Sequence, residues 1–212
     1  MDKNDTVFDY VKHLAKLSSA QYIEEHMSNA VLISDPLSQR FHTLSKIQDD
    51  GLIAEFGVWK GESINFFADC LKPRTVYGFD SFEGLPEDWR GDIDRLKARF
   101  DRKGKLPLVH DNVVLIKGWF EQTVPEWVNK LPLNSKFSFI HFDSDLYSST
   151  KTVLDNIYTL IKSGTVITFD EYIGRPGWKN NEYKAWQEFV QANNVKYEYI
   201  NCGLERVTVQ VI

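Results

Sequence analysis

The sequence predicts an α/β protein with a doubly wound, mostly parallel sheet of seven strands and an N-terminal helical extension. Three observations lead there. From Leu52 onward, short apolar runs alternate with amphipathic stretches at helical spacing, which is the texture of βα units. The last two apolar runs, 196–200 and 207–212, instead follow each other across a turn containing Gly203 and read as a terminal antiparallel pair. The first 50 residues carry helical periodicity and no strand pattern.

Taken in order, Val7, Tyr10, Val11, Leu14 and Leu17 recur at helical spacing, and Pro36 opens a second helix through Phe41, Leu44 and Ile47. Residues 1–50 are therefore expected to form a lid or an oligomer surface over a single domain spanning 51–212. Strands are expected at 52–56, 76–79, 113–116, 137–142 and 165–169. Helices are expected at 63–71, around Ile93, Leu96 and Phe100, at 123–131 with Thr123 and Glu126 as a capping box, and at 150–161. Tyr183, Trp186, Phe189 and Val190 mark one more. The 82–111 loop, holding Trp89, is long enough to be a lid.

The 212 residues suffice for one full core but are short for two domains. A net charge of −5 argues against a nucleic-acid partner. No apolar run approaches the roughly 20 residues of a membrane span. Cys70 and Cys202, far apart, suggest neither a disulfide framework nor a thiolate metal site, so a cytoplasmic setting is expected.

Ligands of open α/β sheets sit outside the carboxyl ends of the strands. There the first strand delivers Glu55-Phe56-Gly57-Val58-Trp59-Lys60-Gly61-Glu62-Ser63, a glycine turn that lets the backbone approach a ligand. Its spacing is not GxGxxG, which lowers the case for a nicotinamide enzyme. The second strand ends at Asp80, 23 positions beyond Gly57, where a carboxylate accepts ribose hydroxyls. The third runs into Gly118-Trp119-Phe120, a close-approach glycine with aromatic rings that can flank a base. The fourth delivers His141, Asp143 and Asp145, and the fifth Asp170-Glu171. Four carboxylates at one sheet edge repel one another unless a cation, a proton or a cationic ligand relieves them. The alternative is that Asp143 or Asp145 caps the following helix. His141 reads as a structural histidine.

The stretches 55–63, Gly78-Phe79-Asp80-Ser81-Phe82-Glu83-Gly84-Leu85-Pro86, 143–150 and 169–172 together resemble the macrocin O-methyltransferase (TylF/MycF-type) family over roughly residues 50–195. The resemblance implies a class I, Rossmann-like methyltransferase using S-adenosylmethionine to methylate a hydroxyl of a sugar or sugar-bearing small molecule. It implies that Glu55, Gly57, Gly61 and Ser63 surround the methionine portion, Asp80 the ribose, Ser81 and Phe82 the adenine, and Gly118, Trp119 and Phe120 its other side. Asp143 would face the sulfonium, and Asp145 or Asp143 would take the acceptor's proton. Family members commonly hold magnesium with an aspartate after the fourth strand and an Asp-Asp pair after the fifth. Here Asp145, Asp170 and Glu171 are the expected ligands, with Glu171 departing from that pair by one methylene. A homo-oligomer is expected. Two rivals are an NAD- or nucleotide-binding enzyme of carbohydrate metabolism and a non-catalytic cofactor-binding partner in a biosynthetic assembly; the acid cluster discriminates the latter.

Overall fold

The computed structural model describes residues 6–89 and 97–212. Helix α1 (Val7–His26) begins at Thr6, which forms a reciprocal capping box with Asp9. A two-residue strand, β1 (Val31–Leu32), precedes α2 (Pro36–Leu44), which starts at a proline behind the Asp35 side-chain cap. There follow β2 (Leu52–Phe56), α3 (Glu62–Cys70), β3 (Val76–Asp80), β4 (Val113–Lys117), α4 (Phe120–Val128), β5 (Phe137–Phe142), α5 (Tyr147–Ile157), β6 (Val166–Phe169), α6 (Glu182–Asn193), β7 (Tyr197–Cys202) and β8 (Val207–Val211).

The strands form one sheet in the order β1-β7-β8-β6-β5-β2-β3-β4. Only β8 runs antiparallel to its neighbours. The seven expected strands are all present. The eighth, β1, pairs with the edge of β7 and is too short to leave a pattern in the sequence. From β2 the chain winds outward through β3 and β4, and from β5 it winds the other way, so the switch point lies between β2 and β5.

Four phenylalanines mark the ends of the central strands. Phe79, Phe56, Phe142 and Phe169 stand in register across β3, β2, β5 and β6, with ring centroids 4.8, 5.4 and 5.2 Å apart and nearly parallel planes. All four are buried on the face covered by α4, α5 and α6. Since side chains alternate along a strand, this row fixes what comes next. Each phenylalanine is the last or next-to-last residue of its strand and is followed by Asp80, Gly57, Asp143 or Asp170. Glu55 and His141, one position earlier, face the opposite side, toward α3.

Several local expectations are corrected. Helix α4 begins at Phe120, so Thr123 lies inside it and its hydroxyl donates back to the Trp119 carbonyl at 3.1 Å instead of forming a capping box with Glu126. Helix α5 begins three residues earlier than expected and passes into a 3-10 turn at Tyr158–Leu160. Ile93 and Leu96 lie outside the described residues; Phe100 ends a 3-10 turn, Lys97–Phe100. Helix α1 sends Ala15 and Ser19 inward, whereas Val7, Tyr10, Val11, Leu14 and Leu17 of its apolar stripe are exposed, as is Phe8. Among the described residues no helix is long and apolar enough to cross a membrane.

Candidate active site

The switch point is a place of close backbone approach. A Cβ on Gly57 would stand 1.9 Å from the Asp143 carbonyl oxygen, and Gly57 adopts φ +95°, so both space and backbone require glycine there. The Gly57 amide donates to the Phe79 carbonyl and the Asp143 amide to the Phe56 carbonyl, both at 2.9 Å. These bonds continue the sheet ladder one step beyond the strands and hold three strand ends together.

Beyond the strand ends lies a cavity of 350 Å³. Gly57, Asp80 and Ser81 form one part of its wall, Gly118, Trp119 and Phe120 another, and Asp143, Ser144 and Asp145 a third. Leu85, Pro86, Glu87 and Phe100 come from the long loop, and Ser148, Ser149 and Thr152 from α5. This size suits a small-molecule ligand. Eight of the expected site residues thus share one cavity. Glu55, Gly61, Ser63, Phe82, Asp170 and Glu171 do not line it. Glu55 is buried under the sheet end, where it accepts a hydrogen bond from Ser63 at 3.1 Å; Gly61 precedes α3 in a left-handed conformation; Phe82 packs among Ile53, Val58 and Ile64.

Asp80 accepts hydrogen bonds from the amides of Val58 (2.8 Å) and Trp59 (2.7 Å) on one oxygen and from Phe82 (2.7 Å) on the other. It therefore shapes the turn after β2 as well as facing the cavity. A carboxylate has about four acceptor sites, so one stays open on the second oxygen.

The acidic residues divide into two groups. In the first, Glu55 meets His141 Nδ1 at 2.9 Å, His141 Nε2 stands 3.5 Å from Asp170, and Asp170 is bound by Arg206. Burial works to lower the His141 pKa, but the Asp170 and Glu55 carboxylates hold it up at about 9, so the imidazole is charged at neutral pH. Burial likewise works to raise Asp170, and His141 and Arg206 overcome it and hold its carboxyl below the usual range. Signs alternate along this chain, which makes His141 structural, as its strand position suggests.

In the second group, carboxylate oxygens of Asp143, Asp145 and Glu171 lie within 4.8 Å of one another. Burial and mutual repulsion raise the pKa of Asp143 and Glu171 well above normal, and burial chiefly pushes Asp145 to about 8. Glu171 pairs with Arg175 through one oxygen at 2.7 Å, while its Oε2 is buried without a hydrogen-bond partner. Asp145 sits at φ +61°, a left-handed position uncommon for a non-glycine residue, and this turn keeps it at the cavity wall. Neither Asp143 nor Asp145 caps α5, which starts from Leu146 without a side-chain cap.

Of the expected trio Asp145, Asp170 and Glu171, the structure brings Asp145 and Glu171 together with Asp143, while Arg206 and His141 hold Asp170 in the other group. Sequence reasoning also missed Glu182. This buried carboxyl at the start of α6 accepts from the backbone amides of Ser144 at 3.4 Å and Glu171 at 3.0 Å, so it ties the two acidic loops together. Its only sequence signal is an acidic residue in a first helical turn, which is ordinary capping chemistry.

Residues 35–208 match the family model of the macrocin O-methyltransferase, TylF. The chain belongs to that family. Among its relatives are the 8-demethyl-8-(2,3-dimethoxy-alpha-L-rhamnosyl)-tetracenomycin-C 4'-O-methyltransferase of Streptomyces olivaceus, 30% identical over 58% of this chain and 53% of that one, and the demethyldecarbamoylnovobiocin O-methyltransferase of Streptomyces niveus, 28% identical over 64% and 58%. The chain thus spans little more than half the length of these two relatives. Among solved structures, the calicheamicin methyltransferase CalS11 superposes with a TM-score of 0.64 over 98% of this chain and 94% of its own, at 21% identity. The O-methyltransferase NovP gives 0.59 at 25% identity over 81% and 78%. The fold is thus shared with CalS11 across nearly the whole chain.

Proposed function

We propose that this chain transfers a methyl group from S-adenosylmethionine to a hydroxyl of a sugar or sugar-bearing small molecule. The observation that carries this reading is the meeting of Asp143 and Asp145, with Glu171 beside them, at the wall of one cavity that also reaches Gly57, Asp80 and Trp119. Membership in the TylF family and the relatives named above support the same chemistry.

The residues present fit both groups the reaction implies. For the cofactor, Gly57 leaves room at the switch point, Asp80 keeps an acceptor site for a ribose hydroxyl, and the Trp119 and Phe120 rings offer apolar surface to a base. For a divalent cation, Asp143, Asp145 and Glu171 supply hard oxygen donors, including the unpartnered Glu171 Oε2. When bound, the cofactor supplies an electrophilic methyl group and the cation lowers the pKa of the acceptor hydroxyl.

The chain's own residues do the rest. Asp145, at the cavity wall, accepts the proton of the acceptor hydroxyl. Asp143 and Glu171 hold the cation's side of the site, and Arg175 steadies Glu171. Wall residues from the long loop and α5 orient the acceptor, which supplies rate by positioning. Residues 1–50 act as a lid or oligomer surface, a reading supported by the exposed Val7, Phe8 and Leu14.

Calorimetric titration with S-adenosylmethionine, with and without magnesium and with NAD as control, tests the donor half. Micromolar binding of the sulfonium is expected; binding of NAD alone, or of neither, overturns it. Asp145→Asn should lower turnover about 10²–10⁴-fold while leaving cofactor affinity intact. Loss of cofactor affinity instead would assign Asp145 to binding.

A further inference from the structure

Trp59 lies in the turn after β2 and lines the cavity, yet neither the cofactor nor the cation reading gives its ring a task. Its backbone stands at φ +46°, in the left-handed region. Glycine enters that region freely, and a bulky ring there is an outlier. Two residues away on either side, Gly57 and Gly61 hold φ +95° and +84°. The turn therefore has three left-handed positions, and the middle one carries the largest of all side chains. Backbone strain kept for the sake of one side chain points to work done by that side chain.

Local contacts fix the ring before any ligand arrives. The Trp59 amide donates to Asp80 at 2.7 Å beside the Val58 amide at 2.8 Å, which pins the turn to the end of β3. Lys60 Nζ stands over the indole, 4.1 Å from its centroid. Phe100, from the long loop and also on the cavity wall, meets it edge to face with centroids 5.5 Å apart. The indole is half-buried, so part of its surface stays open to a ligand. Asp80 faces the same cavity, and the reading above gives it the ribose of the cofactor. Trp59 is joined to that carboxylate through its own amide, so its ring meets the cavity beside the sugar. We propose that Trp59, backed by Phe100, covers the ribose of the cofactor and is a positioning residue for the methyl donor. A ribose directs its hydroxyls to a carboxylate and has C–H groups left over on its face, and the negative face of an aromatic ring suits those. A nucleoside held on two sides keeps the methyl carbon in place for transfer.

This inference rests on the assignment of S-adenosylmethionine as donor, and the same aromatic surface would also suit the sugar ring of an acceptor. The test separates the two by leaving the acceptor out. S-adenosylhomocysteine and 5'-deoxy-5'-methylthioadenosine, which lacks the amino-acid portion, are titrated into the unaltered protein and into Trp59→Gly and Trp59→Phe variants. Glycine suits φ +46°, so Trp59→Gly removes the ring and leaves the turn conformation in place. It should weaken both ligands by the same factor, about 5- to 50-fold, and Trp59→Phe should recover most of that loss. Acrylamide quenching gives a second measurement that does not need the glycine variant to fold: methylthioadenosine should shield indole emission more in the unaltered protein than in Trp59→Phe. Unchanged affinities in Trp59→Gly overturn the inference and leave the donor assignment standing. A loss confined to S-adenosylhomocysteine also overturns it, because the contact then lies at the amino-acid end. Equal shielding in the unaltered protein and Trp59→Phe overturns it as well, making Trp59 a packing residue of the turn. Failure of the unaltered protein to bind either ligand overturns the donor assignment and this inference together.

Discussion

Replacing Gly57 with alanine tests the switch-point geometry most directly. The new methyl group meets the Asp143 carbonyl at 1.9 Å, and its residue must hold φ +95°. The left-handed backbone alone costs about 1–2 kcal/mol for a residue with a Cβ. The overlap is with backbone, so no side chain can swing away, and the strand ends must part by more than an ångström. The Gly57 to Phe79 and Asp143 to Phe56 hydrogen bonds then weaken or break, at about 1 kcal/mol each. The total expected loss is about 3–4 kcal/mol. Gly177→Ala is the control, since Gly177 has φ +76° but no atom within 4 Å of its would-be Cβ and should lose the backbone term alone. Urea denaturation of both variants measures the difference. Equal losses would refute the claim that close approach of β2 and β5, rather than turn conformation, requires glycine at 57.

Two further outcomes follow from the acid cluster. Asp143, Asp145, Glu171 and Glu182 all have raised pKa values, so the folded state binds more protons than the unfolded one; their stabilising contribution is complete below the ordinary carboxyl range and is lost as pH rises toward about 8, the value of Asp145. The Tm without added cation should fall between pH 5 and 8, magnesium should restore more of it at pH 8 than at pH 5, and a magnesium effect independent of pH would remove Asp143, Asp145 and Glu171 as ligands. Glu182→Gln keeps an acceptor for the Ser144 and Glu171 amides, whereas Glu182→Ala leaves them unmade and should cost about 1–3 kcal/mol in urea denaturation; equal effects of the two variants would show that the clamp does not operate.

Much of this arrangement is legible in the sequence because strands signal themselves by period and composition. The runs 52–56 and 137–142 are apolar enough to be read to the residue, and the ligand side of the sheet follows from where the strands end. Pairing between distant residues is not legible in the same way. Arg206, 36 positions beyond Asp170, decides that Asp170 turns away from Asp143 and Glu171, and no local pattern announces it. Glu182 is hidden for a similar reason: it is one charged residue on an amphipathic helix, and only the packing of α6 makes it buried. Even Phe82, beside Asp80 and Ser81, turns into the core because φ +58° sends it away from the cavity.

The two acidic groups also explain how one sheet edge can be both rigid and chemically unbalanced. Glu55, His141, Asp170 and Arg206 alternate in sign, so each charge has an opposite neighbour and the group holds its shape without a ligand. Asp143, Asp145, Glu171 and Glu182 face only Arg175 among the described basic residues paired with them, and Arg175 is shared with Glu205. The paired group anchors the ends of β5 and β6, and the unpaired group is carried on the residues just beyond them. Placing excess negative charge on a frame whose own charges are already paired means that relieving it with a cation need not rearrange the sheet. A sulfonium, an ammonium and a divalent metal are all cations, and the geometry offers them carboxylates at neighbouring positions along one cavity wall.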